Sequence, residues 1–176
     1  MLVKTDNSYL EDKIQLRLGM LPEKDITVLD CYGGYGHIWK EIAKRFPHKI
    51  KRTGIDKEKR PGTLQGDNLK WLLSLDLSKY DVIDLDAYGI PYEQLRVLFR
   101  RGYEGIVFVT AIQSVMGQLP KRMLCEHGVS GRAYSLCPTI WGKVGFELLL
   151  GYLAEHGVKS IRHRGYSRKH YFGFIM

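Results

Sequence analysis

The chain has little cysteine, no long apolar run, and no lysine in its glycine-rich turn. Each absence excludes something. Three cysteines among 176 residues, Cys31, Cys125 and Cys137, are odd in number and far apart. They do not suit a disulfide framework, and they fit a reducing compartment. With His127, Cys125 and Cys137 supply three donors where a structural zinc takes four, so no metal site is expected. No apolar stretch reaches the ~18 residues of a membrane span. The N-terminal MLVKTDNSYLEDK has neither an apolar core nor a cleavage pattern, so no signal peptide is expected, and the expected location is cytoplasmic. No G-x-S-x-G elbow marks a hydrolase.

Acid is in short supply relative to base. Lysine and arginine number 27 against 19 aspartates and glutamates, a formal charge of +8. A basic surface favours an anionic partner, and nucleic acid is the commonest. The length suits one domain with a real core, and hydrophobic residues make up 44% of it.

Short apolar runs recur at helix-length intervals. Ile26–Cys31, Arg52–Asp56, Asp81–Asp86 and Gly105–Thr110 are predicted strands. Helical stripes lie between them: Ile38, Trp39, Ile42, Ala43 and Phe46 make one, and Leu95, Val97, Leu98 and Phe99 another. This alternation predicts an α/β fold with a mainly parallel sheet. A helix is expected from about Tyr9, with Ser8 and Glu11 as a capping box, within an N-terminal helical extension over 1–22. Trp141–Glu155 is expected to be helical. Two last strands, Ser160–His163 and Tyr171–Met176, are expected to flank a basic loop, RGYSRK. The aperiodic segment 118–140 emerges after the predicted strand Gly105–Thr110 and is expected to be a substrate-side insertion carrying Arg132.

The glycine turn lies in VLDCYGGYGHIW, Val28–Trp39. A P-loop would end in Gly-Lys-Ser/Thr, but here Gly36 is followed by His37 and Ile38. A dinucleotide fingerprint would place its third glycine where Trp39 stands. What remains is a ligand that needs close backbone approach and carries no phosphate, and S-adenosylmethionine (SAM) is one. Asp30, at the first strand's end, can anchor its amino group. Gly33, Gly34 and Gly36 let the backbone approach. Asp56 ends the second strand and can accept from two ribose hydroxyls. Asp67 and Asn68, in QGDN, can read an adenine amino group. Each acid alone could equally be a cap or a turn residue.

These residues resemble a known family. LDCYGGYG is similar to motif I of class I SAM-dependent methyltransferases, with Tyr32 as the aromatic before the glycines. VIDLDAYGIPYEQL, followed by GIVFVTAIQSVMG, resembles the region of tRNA guanosine N2-methyltransferases that reads LDPFG-x-P, with Ala87 replacing the first proline. The resemblance spans most of residues 26–117. It implies a single-domain Rossmann-like methyltransferase fold, with a seven-stranded, mainly parallel sheet and a C-terminal antiparallel hairpin. It also makes Asp86 the motif-IV acid, Tyr88 its aromatic and Gly89 the glycine after it.

The chemistry agrees with that mapping. An exocyclic amine is a poor nucleophile because its lone pair is delocalised into the base. An acid accepting its N–H bonds localises the lone pair and helps remove a proton. A tyrosine face can stack on the base. Asp84 and Asp86 share a strand face. Asp84, deeper in the strand, is expected to be either buried and paired or part of the SAM floor, and Asp86 to be catalytic. The fold so implied would bring Arg164, Arg168 and Lys169 to the ligand edge, where they suit phosphates. The basic cluster Lys44–Arg52 is expected on the opposite edge, away from the chemistry. The expected function is SAM-dependent N-methylation of a nucleic-acid base, RNA ahead of DNA. The rivals are a small-molecule or protein methyltransferase and a non-catalytic SAM- or RNA-binding module.

Overall fold

A computed structural model of the chain describes residues 9–113 and 121–176. Helix α1 spans Leu10–Leu18 and leads into strand β1, Ile26–Asp30. Then follow α2 (His37–Arg45), β2 (Ile50–Asp56), a short β3 (Thr63–Gln65) and α3 (Asn68–Ser74). Strand β4 is Val82–Asp86, α4 is Tyr92–Arg100 and β5 is Ile106–Ile112. Beyond the undescribed residues come α5 (Lys121–Glu126), α6 (Gly131–Leu136) and α7 (Ile140–Glu155), then β6 (Ile161–Tyr166) and β7 (Lys169–Ile175).

The strands form one sheet in the order β3-β2-β1-β4-β5-β7-β6. All neighbours pair in parallel except β7, which runs antiparallel to both β5 and β6. This is the expected α/β sheet with its C-terminal hairpin. The order reverses between β1 and β4, whose carboxyl ends therefore flank a crevice. Open α/β sheets bind ligands at such a crevice.

Alternation along the strands sends side chains to two cores. Leu29, Ile83, Leu85, Val107 and Val109 face α3, α4 and α7. Val28, Val82 and Phe108 face the side of α1 and α2, with Ile14, Trp39 and Ile42. Asp30, Asp84 and Asp86 lie on this second face by the same alternation, with Asp30 beside Asp84 in register and Asp86 nearer the strand end, so three carboxylates enter this layer.

One local expectation, the basic loop, needs correction, and three further local details stand beside it. Helix α1 starts after Tyr9, which is left-handed (φ 62°) and makes no side-chain cap bond. Ser8, the expected cap, lies outside the described residues. Strand β3 pairs only three residues with β2, too few for a recognisable pattern. The basic loop RGYSRK is mostly strand: Arg164 lies in β6 and Lys169 in β7, and the chain reverses at Ser167 (φ 54°) and Arg168. Within 118–140, the described residues form two short helices, and Met123, Leu124 and Val129 enter the core. Residues 118–120 lie outside the described residues.

Candidate active site

The turn after β1 is built by glycines with two different duties. Gly34 (φ 45°) and Gly36 (φ 68°) are left-handed, a conformation costly for other residues. A Cβ on Gly34 would meet only the Tyr32 carbonyl, at 3.9 Å, so its backbone can be approached closely. A Cβ on Gly36 would lie 2.7 Å from the Arg52 guanidinium, and one on Gly33 2.8 Å from it. Those two glycines make room for a side chain of the protein itself.

That side chain was expected on the far edge. Arg52 lies in β2, and its Nε donates to Asp30 at 2.9 Å while a terminal nitrogen donates to the Gly33 carbonyl at 2.6 Å. Asp30 is thus buried beneath the turn and paired. Burial and the neighbouring charge of Asp84 push its carboxyl up to about 7, with Arg52 opposing.

Asp56 ends β2 beside the turn. One oxygen accepts the Gly34 N–H at 2.9 Å and the other the Glu58 N–H at 2.8 Å. Arg60 adds an ion pair at 3.3 Å and lies over the Tyr35 ring, 4.4 Å from its centroid. Asp67 is exposed and caps α3 by accepting from Leu69 at 2.8 Å. Asn68 is buried; it donates to the Cys31 carbonyl at 3.0 Å and accepts from Gln94 at 2.8 Å. Tyr32 packs against the core, and burial pushes its phenol up to about 12, with Asn68 opposing.

At β4, Asp84 is buried and paired, the first of its two expected alternatives. Arg17 of α1 grips it with two nitrogens, at 2.8 and 2.7 Å, and the Trp39 indole donates at 2.8 Å. Trp39, which broke the dinucleotide pattern, serves this buried acid. Asp86 sits one step nearer the edge. Lys13 of α1 reaches both its oxygens, at 2.8 and 3.0 Å, and the Thr110 hydroxyl donates to one of them. Burial would raise the Asp86 carboxyl. The charges of Lys13 and Arg17 and the hydrogen bonds from Lys13 and Thr110 outweigh burial and hold it below the ordinary carboxylate value.

Tyr88, 68% exposed, follows in the loop, and the Gly89 carbonyl accepts from Ile112 at 2.7 Å. Strand β6 runs parallel to β5, so the β6–β7 turn stands at the same edge as Asp86, where Gln113 donates to the Arg168 carbonyl at 2.7 Å. Arg164 and Arg168 are exposed and Lys169 half-buried, and Arg132 is exposed on α6. Tyr9 stacks on Tyr166 at this edge, with ring centroids 3.9 Å apart.

Five residues now at the site were not among those expected there: Lys13, Arg17, Arg52, Arg60 and Trp39. One signal was available for the first two. Lysine and arginine stand one turn apart on an otherwise apolar helical face, which calls for buried partners. The described residues hold no cluster of metal-ligating side chains, and the three cysteines are free. Among the described residues, no helix is long and apolar enough to cross a membrane.

No family profile and no curated protein matches the sequence. Solved structures match the shape. A SAM-dependent methyltransferase from Aquifex aeolicus superposes with a TM-score of 0.56 at 15% identity, over 99% of this chain and 95% of its own. An S-adenosylhomocysteine (SAH)-bound methyltransferase from Podospora anserina gives 0.51 at 13%, over 97% and 79%. Phosphoethanolamine N-methyltransferase 2 from Haemonchus contortus, complexed with SAM, gives 0.55 at 12%, over 94% and 52%. At these identities the likeness concerns fold, and the fold of this chain is that of the class I methyltransferases.

Proposed function

We propose that this chain is a SAM-dependent methyltransferase acting on an exocyclic amine of a nucleic-acid base, RNA ahead of DNA. The observation that carries the reading is the shared edge. An approachable glycine backbone, the Asp56 carboxylate and Asp86 all stand at the carboxyl ends of the adjacent strands β1, β2 and β4. The residues fit SAM. Gly34 leaves room for its amino-acid end, and Asp56 offers carboxylate oxygens to a ribose. Asp67 and Asn68 follow on the next connection.

Bound SAM supplies the methyl carbon: the amine nitrogen forms the N–C bond, the S–C electron pair stays on sulfur, and the nitrogen then sheds a proton. Asp86 orients the amine by accepting its N–H, and Tyr88 stacks on the base. Arg164, Arg168, Lys169 and Arg132 take backbone phosphates, consistent with the +8 charge.

Two measurements test this. Calorimetric titration with SAH is expected to show micromolar binding, with none for NAD. Methyl transfer from labelled SAM to unmodified tRNA and rRNA transcripts is expected in wild type. Asp86→Ala should abolish it while SAH affinity stays nearly intact. A fully active Asp86→Ala enzyme would remove Asp86 from the chemistry. SAH binding with no salt-sensitive RNA affinity would move the substrate to another class.

A further inference from the structure

Helix α1 and strand β4 meet in a two-rung clamp. Lys13 and Arg17 are four residues apart, about 6 Å along a helix. Asp84 and Asp86 are two apart, about 6.6 Å along a strand. The two spacings match, so Arg17 takes Asp84 while Lys13 takes Asp86. The rungs differ in setting. Arg17 and Asp84 are closed off, each with 1% of the side chain exposed. Lys13 and Asp86 stand at the edge, 11% and 20% exposed. One rung is interior and the other opens on the crevice where an amine would arrive. The Lys13 ammonium also lies 4.9 Å from the Tyr171 ring centroid, which fixes its position from a second side.

An ionised carboxylate has about four acceptor sites. Lys13 takes two of those on Asp86 and Thr110 a third, which leaves one for a substrate N–H. Building on the methyltransferase reading above, we propose that Lys13 is a positioning residue that holds Asp86 as a fixed, ionised hydrogen-bond acceptor. Asp86 then turns the amine's lone pair toward the methyl carbon and does not take its proton. The proton passes to water once the N–C bond has formed, because a methylated aromatic amine is acidic enough to release it unaided. A carboxylate faced by an ammonium at 2.8 Å is a weak base that stays ionised, and so remains an acceptor for an N–H.

The test separates this inference from the functional reading. In protein carrying 13C at aspartate carboxyls, the Asp86 resonance is followed against pH, with no substrate needed. Wild type and Lys13→Arg should titrate below the ordinary carboxylate value, and Lys13→Met above it. With RNA transcripts as acceptor, the acid limb of kcat/KM should move to higher pH in Lys13→Met. Its rate should fall at least tenfold near pH 6 yet recover to within about threefold of wild type near pH 8.5. Lys13→Arg should keep the wild-type limb, and SAH affinity should stay within threefold throughout.

Lys13→Met activity lost equally at every pH would overturn the proposal. So would an Asp86 resonance in wild type that titrates at or above the ordinary value. Absence of methyl transfer by wild type, with the Asp86 titration as expected, would instead fail the RNA reading.

Discussion

Arg52 and Asp30 form an ion pair at 2.9 Å directly under the glycine turn. The turn therefore rests on a guanidinium, and two of its glycines are explained by that support. Gly36→Ala should cost more than Gly34→Ala. Both pay for a left-handed φ, about 1–2 kcal/mol. Gly36→Ala must also displace an arginine pinned by Asp30 and by the Gly33 carbonyl. Urea denaturation should rank the two in that order, and equal losses would mean that Arg52 yields freely.

The Arg17–Asp84 pair is wholly buried, so removing one partner strands a charge. Arg17→Met is expected to destabilise the protein by about 3–5 kcal/mol. Arg17→Met combined with Asp84→Leu should recover part of that loss, because the double variant removes both charges. Chemical denaturation of the two single variants and the double variant measures the coupling. A double variant as unstable as the sum of the singles would show that the pair does not act as a unit.

Asp56 is engaged before any ligand arrives. It holds the Gly34 N–H and pairs with Arg60. Asp56→Ala should weaken SAH binding at least tenfold, through loss of the ribose acceptor and of the anchor for the turn. Arg60→Ala frees the carboxylate, and a partly exposed pair is worth about 0.2–1 kcal/mol, so SAH binding should tighten by up to about fivefold. Calorimetry on both variants decides. Weaker binding in Arg60→Ala would assign Arg60 to the ligand instead.

His163 and His170 stack on Phe146, at centroid distances of 4.4 and 3.9 Å. Burial holds both imidazoles below their ordinary value, and for His170 the charge of His163 adds to it, against the raising effect of Glu147. A histidine with a depressed folded value protonates more readily when unfolded, so stability falls as pH drops. The loss starts near the unfolded value, about 6.5, and continues through the folded one. Tm should decline between about pH 7 and 5, and His163→Gln should flatten that decline. An unchanged slope would exclude His163 as its source.

Much of this architecture was legible in local pattern. The four parallel strands Ile26–Cys31, Arg52–Asp56, Asp81–Asp86 and Gly105–Thr110 announced themselves as apolar runs, and the acids Asp30, Asp56 and Asp86 marked their ends. What the pattern hid were partnerships across long stretches of chain. Arg52 looked like part of a surface cluster because strand alternation says which face a residue takes, not which acid stands in the next strand. The spacing of Lys13 and Arg17 on an apolar helical face called for buried partners but could not say that those partners were acids of β4. Asn68 read as a ligand-reading amide, but its hydrogen bonds to the Cys31 carbonyl and from Gln94 join distant stretches and left no mark in QGDN. Strand β3 was invisible because three residues carry no period.

The clamp bears on how the chain is made. Lys13 and Arg17 precede their acids by 73 and 67 positions. On the ribosome, α1 emerges well before β4, and until then its two cations are balanced only by mobile ions of the solvent. The clamp between α1 and β4 can therefore close only once β4 has been made.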